Sequence, residues 1–418
     1  MNTLLTYRLP RHDWPQVRYW VMTLLPWALL ASRTLADLAV VLIDLHLIYH
    51  LYQAGNWRQR IQSVRQQPWL LAALLFFSYL LLINSPAALH PTQTMLHGLY
   101  FIRWPLFALA LSHLWFADRT ALFVFLKSLC LACTLLILDC SYQFVTGVDL
   151  LGHPLASNHR LTGPYHAPLP GIMLVRVMFI AHLLWLLPGP GKHRSTLSWL
   201  FLTMAAACIL LTGERMALLL FGFGLVLLTC CGMADPYFRQ KMRLPLTGLV
   251  LLLGLTISLM PDIRARAIAS VIDKLAHFAS SDYGLVFKAA IAAWQQQPWL
   301  GHGLHSYREV CDNIGLLVQW GMTCTHPHNL YLLLAAETGL IGTGLFCGMV
   351  VWLYLTALRP LYLAKQWRLL GNHAVILSMS FLPLIGGISL WNNWVAALTW
   401  TGVGCALAVS RQYALPQH

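Results

Sequence analysis

Charge is what this sequence has least of. Lys, Arg, Asp and Glu make up 10% of its 418 residues, where a soluble domain carries about 25%. With 58% hydrophobic residues and a mean hydropathy of +0.63, that scarcity excludes a soluble globular chain. Acidic groups are rarest, 14 against 27 basic ones, and the net charge of +13 fits cationic loops beside an anionic lipid surface. No basic run interleaved with aromatics occurs, so no nucleic-acid partner is expected. Alternating apolar and polar residues are missing as well, which argues against a membrane β-barrel. No short apolar stretch followed by an Ala-x-Ala site opens the chain, so no cleaved signal peptide is expected. Ten cysteines are present, yet eight fall in apolar runs, where a thiol packs as a small apolar group. Cys130 and Cys133 are among them, and their C-x-x-C spacing inside an apolar helix reads as packing.

What the sequence has instead is a series of apolar stretches long enough to cross about 30 Å of hydrocarbon. Twelve are read, over roughly 17–32, 34–53, 68–85, 98–117, 119–146, 168–187, 195–212, 214–232, 244–260, 328–357, 372–388 and 391–410. The expected fold is therefore an all-α polytopic membrane protein of about twelve transmembrane helices. With a cytoplasmic N-terminus, the inward segments hold sixteen Lys and Arg, from Arg8 to Arg411. The short outward loops hold Arg33, Arg160 and Arg215. That bias places both termini in the cytoplasm.

Three regions follow: helices 1–9 in residues 1–260, with an outward loop at 147–167; a cap at 261–327; and helices 10–12 with the C-terminus at 328–418. The cap opens on the amphipathic pattern IRARAIASVIDKLAHFA, suited to a bilayer surface. A helix from about Gly284 to Gln296 follows, then the turn-rich PWLGHGLHSYREV. Cys311 and Cys324 both lie in this outward cap, where an oxidising compartment permits a bridge.

Ionisable residues facing a membrane are costly and are functional candidates by default. Arg215, in LLTGERMALL, sits beside Glu214 between two apolar runs; its guanidinium suits bidentate binding of phosphate oxygens, while a Glu–Arg interfacial anchor is the structural alternative. Arg103 and Arg176 fall in the same outward half, so three arginines could converge on one anion. Pairing with Asp37 or Asp139 is the alternative there. Most of the eighteen histidines, among them His46, His50, His113 and His182, read as satisfied core or interfacial groups. His326 and His328 differ, since THPHN stands at the mouth of the tenth span. A neutral imidazole there can take a proton from a hydroxyl near neutral pH, and Asn329 can orient a sugar or cap the helix that begins there. A zinc site would need two further ligands, for which only His302 and His305 offer themselves, so no metal is expected.

These pieces resemble a known signature. His328-Asn329, then nine residues, then Gly339-Leu-Ile-Gly342-Thr-Gly344 is similar to the motif of bacterial O-antigen ligases, the WaaL family. RLTGPYHAPLPG, TGERMALL and PWLGHG agree in order, although O-antigen polymerases and O-linked oligosaccharyltransferases share them. The resemblance implies a GT-C-like fold and an inverting, metal-independent glycosyltransferase without cofactor. It would carry a glycan from undecaprenyl diphosphate to lipid A–core in the periplasm, within the bacterial inner membrane. It also implies that Arg215 grips the diphosphate and that His328 activates the acceptor hydroxyl. One departure stands out. The family's cap arginine is expected near Tyr283, leaving Arg160, Arg176, Arg103, Lys288 and Arg308 as candidate second cations. The rival readings are an O-antigen polymerase using the same donor, a protein O-glycosyltransferase, disfavoured for want of a large C-terminal extension, and a transporter of lipid-linked sugars, for which no inverted repeat is found.

Overall fold

The computed structural model describes residues 15–53, 67–156, 160–188, 194–265, 269–383, 389 and 391–413. Of the inward cations counted above, Arg8, Arg11, Arg58, Arg60, Arg65 and Lys192 lie outside those residues. All described elements are helical apart from one isolated bridge between Val148 and Pro154. The protein is an all-α polytopic membrane protein.

In chain order the helices are α1 (Pro15–Ala31), α2 (Arg33–Gln53), α3 (Pro68–Ala87), α4 (Pro91–Trp115), α5 (Arg119–Thr146), α6 (Pro170–Leu186), α7 (Arg194–Leu211), α8 (Arg215–Gly232) and α9 (Pro236–Leu259). The cap follows with α10 (Ser270–Ala276), α11 (Asp282–Gln296) and α12 (Tyr307–Ile314). Then come α13 (Leu330–Leu363), α14 (Trp367–Phe381) and α15 (Asn393–Tyr413). Each of the twelve expected spans has a helix. Among the described residues nine are long and apolar enough to cross a membrane, with α6 a shorter apolar one; α1 and α14, at 17 and 15 residues, are not among the nine. Proline at the first turn opens α3, α4 and α6, where its fixed φ suits the helix and its missing N–H costs nothing. This is why α4 begins at Pro91, seven residues ahead of the expected 98, and why Arg103 lies three turns inside it.

Burial sorts the helices. The apolar window of α15 is 89% buried and that of α9 only 11%. So α15 is the centre of the bundle, and α9 turns Val250, Leu251 and Leu255 outward, as a lipid-facing helix would.

Two local devices position the cap. The first is a break in α13. Gly339 has φ 65° and ψ −175°, a conformation open to glycine alone, and it frees the carbonyls and amides around it. PWLGHG satisfies them: His302 N donates to the Ala336 carbonyl (3.0 Å) and Gly303 N to that of Glu337 (2.8 Å). In return Leu340 N donates to the Pro298 carbonyl (2.9 Å). A Cβ at Gly339 would stand 2.1 Å from the Trp299 oxygen, so the two backbones touch. The second device belongs to α3. A π turn over Leu80–Asn84 presents Asn84, whose Nδ2 donates to the Leu300 and Glu337 carbonyls at 2.7 and 3.1 Å. The Tyr79 hydroxyl donates to the Thr338 carbonyl at 2.7 Å. Buried backbone groups must be paired somewhere, and here the cap and α3 do it together. Cys311 and Cys324 form a disulfide, Cα atoms 5.9 Å apart, which closes α12 onto the strand of chain leading to His326.

Candidate functional site

Arg215 is the first residue of α8, reached through a three-residue turn after α7 in which Gly213 takes φ +68°. Its Nη1 donates to Ser270 Oγ at 2.8 Å, tying the start of α8 to the start of α10. Two turns of chain further, α10 and α11 meet across a tight corner. Gly284 lies so close to the Phe278 carbonyl oxygen that a Cβ would stand 1.9 Å from it, so only glycine fits. That corner brings Lys274 onto Asp282 as an ion pair and sets its ammonium 5.5 Å from the Tyr283 ring centroid, within cation–π range. Lys274, and the nearby charge of Arg215, hold the Asp282 carboxyl below its ordinary pKa.

The Tyr283 ring meets His328 edge-on, centroids 5.5 Å apart, and His328 meets His326 at 4.2 Å. His328 is held in an uncommon way. Its φ is +50°, a left-handed backbone that costs a non-glycine residue of order 1–3 kcal/mol. Its N–H donates to His326 Nδ1 at 3.1 Å, and its own Nδ1 is buried without a partner. Burial, aided by His326, pulls the imidazole pKa down to about 4. The ring is therefore neutral at pH 7. Asn329 is the N-cap of α13: its Oδ1 accepts from Tyr331 N (3.0 Å) and Leu332 N (3.1 Å).

The structure thus brings Tyr283, His326 and His328 together at the cap end of the bundle, with Arg215 near enough to act on the charge of Asp282, the residue before Tyr283, while Asn329 caps the helix that follows. The other expected residues fall elsewhere. Arg103 Nη2 pairs with Asp37 at 2.5 Å and lies over the Tyr100 and Trp104 rings. Arg176 is buried in α6 with both terminal nitrogens unpartnered. Arg160 acts on Glu214. Lys288 donates to the Ala279 carbonyl at 2.9 Å, and Arg308 is exposed on α12. His302 Nε2 stands 2.9 Å from the Ala293 carbonyl, while His305 stacks on His97; among the described residues no three His, Cys, Asp or Glu side chains gather as a ligand set.

One residue in this region was not singled out from the sequence, and a second has other partners than the sequence suggested. Lys274 is the cation that stands beside Tyr283; the only signal for it was its place on the polar face of an amphipathic stretch. Glu214 does not pair with Arg215. Its carboxylate instead accepts from Gly171 N (2.7 Å) and Ile172 N (3.1 Å) at the start of α6.

No curated protein matches the chain. Residues 199–347 match the family model described as O-Antigen ligase (Wzy_C). That span runs from α7 into α13 and contains Arg215, Lys274, Tyr283 and His328. Over this part of the chain the protein is similar to the O-antigen ligase/polymerase superfamily.

Proposed function

We propose that this protein is an O-antigen ligase. It would transfer glycan from undecaprenyl diphosphate onto a sugar hydroxyl of lipid A–core, in the periplasmic half of the bacterial inner membrane, with both termini cytoplasmic. The family implies a lipid-linked glycan donor and a lipid-anchored acceptor. Charge grows on the diphosphate as the glycosidic bond breaks. Arg215, at the membrane–cap boundary, is placed to offset it, and a fixed cation in a poorly hydrated site is worth a few kcal/mol. Lys274 supplies the second positive charge in place of the cap arginine that this chain lacks. His328 takes the acceptor's proton as the new bond forms, a contribution of about 10²–10⁴-fold. Attack opposite the leaving diphosphate inverts the anomeric centre, and none of these steps calls on a metal or cofactor.

The observation that carries this reading is the run of contacts in which Arg215 holds Ser270 and acts on Asp282, Lys274 pairs with Asp282 beside Tyr283, and Tyr283 meets His328, drawn from three separate stretches of sequence where the cap meets the start of α8 and the approach to α13. Both substrates arrive along the outer leaflet, so a site at that boundary serves both. The test is His328→Ala in cells, with lipopolysaccharide and lipid-linked glycan examined side by side. Long-chain lipopolysaccharide should vanish while polymerised glycan accumulates on undecaprenyl diphosphate. Disappearance of the polymer itself would make the protein a polymerase, and unchanged lipopolysaccharide with the variant present in the membrane would return the transporter reading.

A further inference from the structure

Glu214 occupies the N-cap position of α8, but its side chain makes no cap hydrogen bond to its own helix. It serves α6 instead. Pro170 opens α6 without an N–H, which leaves Gly171 and Ile172 as the first free donors, and Met173 N already reaches the Leu169 carbonyl (3.0 Å). One carboxylate oxygen takes each donor, so every amide at this helix start is satisfied, with a negative charge where the helix dipole favours one. The approach is close. A Cβ at Gly171 would meet Thr212 Oγ1 at 2.6 Å and Glu214 Oε1 at 3.0 Å, so α6 is pressed against the turn that delivers Arg215. Glu214 is 8% exposed. The titratable groups facing it are Arg160 and Tyr165 from the preceding loop and Cys140 from α5, with Cys208 of α7 hydrogen-bonded to that thiol and Arg215 next in the chain.

We propose that Glu214 is a positioning residue for the diphosphate site: only as a carboxylate does it lock the start of α6 to the Gly213 turn, and by that lock it aims the Arg215 guanidinium at the cap. This rests on the donor reading given above. The protonated acid keeps one good acceptor oxygen and turns the other into a hydroxyl, so one of the two amides is released and the attraction to the helix dipole is lost.

The titration falls where it can be seen. Burial raises the Glu214 carboxyl to about 7, against the pull of the Gly171 amide and Arg160. The sign for stability follows directly. The folded protein holds this proton more tightly than the unfolded chain, so the contribution of Glu214 to stability declines as pH rises from about 4.5 to about 7 and is level above. Aim runs the other way and improves as pH rises through 7. A merely structural carboxyl would move stability alone. His328, with its pKa near 4, adds no transition in that window.

The experiment compares the full-length wild-type protein with Glu214→Gln in nanodiscs between pH 5.5 and 8. It follows affinity for undecaprenyl diphosphate together with thermal stability. Taking the ratio of the two proteins cancels ionisation of the ligand's own phosphate. The expected ratio is near unity at pH 5.5, where both carry a neutral side chain, and about tenfold in favour of wild type at pH 8. Glu214→Asp, which keeps the charge on a shorter stem, should recover part of it. An affinity ratio that stays flat across pH overturns the positioning role, even if stability still titrates. No binding by wild type at any pH overturns the diphosphate reading and the role of Arg215 with it; a flat ratio with firm wild-type binding leaves that reading standing and removes Glu214 alone.

Discussion

Two polar regions of this bundle are built on histidine, and they are built oppositely. Towards the end away from the cap, His182 of α6 is 1% exposed and fully engaged. Its Nδ1 lies 2.8 Å from Asn372 Oδ1 and its Nε2 2.7 Å from Ser198 Oγ, while Asn372 Nδ2 donates to the Phe179 carbonyl at 2.9 Å. Three helices are pinned there with no polar atom of the knot left over. At the cap end His328 sits on a left-handed backbone with Nδ1 buried and unpaired. Satisfied polar networks specify a packing; strain and an orphaned buried atom mark a place held ready for something else. Of the two, only the second lies inside the matched span, residues 199–347.

The sharpest way to break this comparison is at Arg215. If it belongs to the cap-end site, Arg215→Lys keeps the charge but loses the planar fork that matches phosphate oxygens. Transfer should then fall by roughly 10²-fold, and by roughly 10³-fold for Arg215→Ala. Thermal stability should barely move in either, because the side chain is half-buried and its hydrogen bond is to the Ser270 hydroxyl. Transfer measured on purified protein with lipid-linked donor and lipid A–core decides it. Full activity in the lysine variant would return Arg215 to an interfacial anchor.

Lys274 should show a smaller effect of the same kind. Its charge is shared with Asp282, and half-exposed ion pairs are worth little to stability. Lys274→Ala should raise the donor KM by about tenfold with the fold intact, and Lys274→Arg should restore it. Equal KM values in wild type and the alanine variant would leave the second cation to be sought elsewhere.

Much of this was legible in the sequence, and the remainder was not for a consistent reason. Composition and apolar run length gave the helices, since a membrane helix satisfies its own backbone and needs no partner to be recognised. Arg215 and His328 could be read because each is announced by its immediate neighbours. What escaped depends on residues far apart along the chain. Glu214 was weighed against Arg215 beside it, yet its true partners lie 43 and 42 residues earlier. For Arg103 both a ligand-binding role and a pairing with Asp37 could be read, and only the fold, which brings that carboxylate from 66 residues away, decides for the pairing. The Gly339 break was hidden inside an apolar run, because the PWLGHG backbone that completes it belongs to the cap. Lys274 came into view only once the Gly284 corner folded α10 back over α11.

The smallest expected effect on transfer is at the other histidine. His182→Ala removes the hub of the satisfied knot and strands Asn372 and Ser198 in a dry interior, where an unmet donor or acceptor costs about 1–3 kcal/mol. The melting temperature should drop, and Asn372→Ala should drop it by a similar amount. The double variant should lose less than the sum of the two, since both changes remove the same bonds. Turnover of the protein that remains folded should stay within about twofold of wild type, because neither side chain reaches the cap. If His182→Ala instead loses transfer at unchanged melting temperature, a buried imidazole far from Arg215 would matter to the chemistry, and full hydrogen bonding would no longer separate a structural histidine from a working one in this fold.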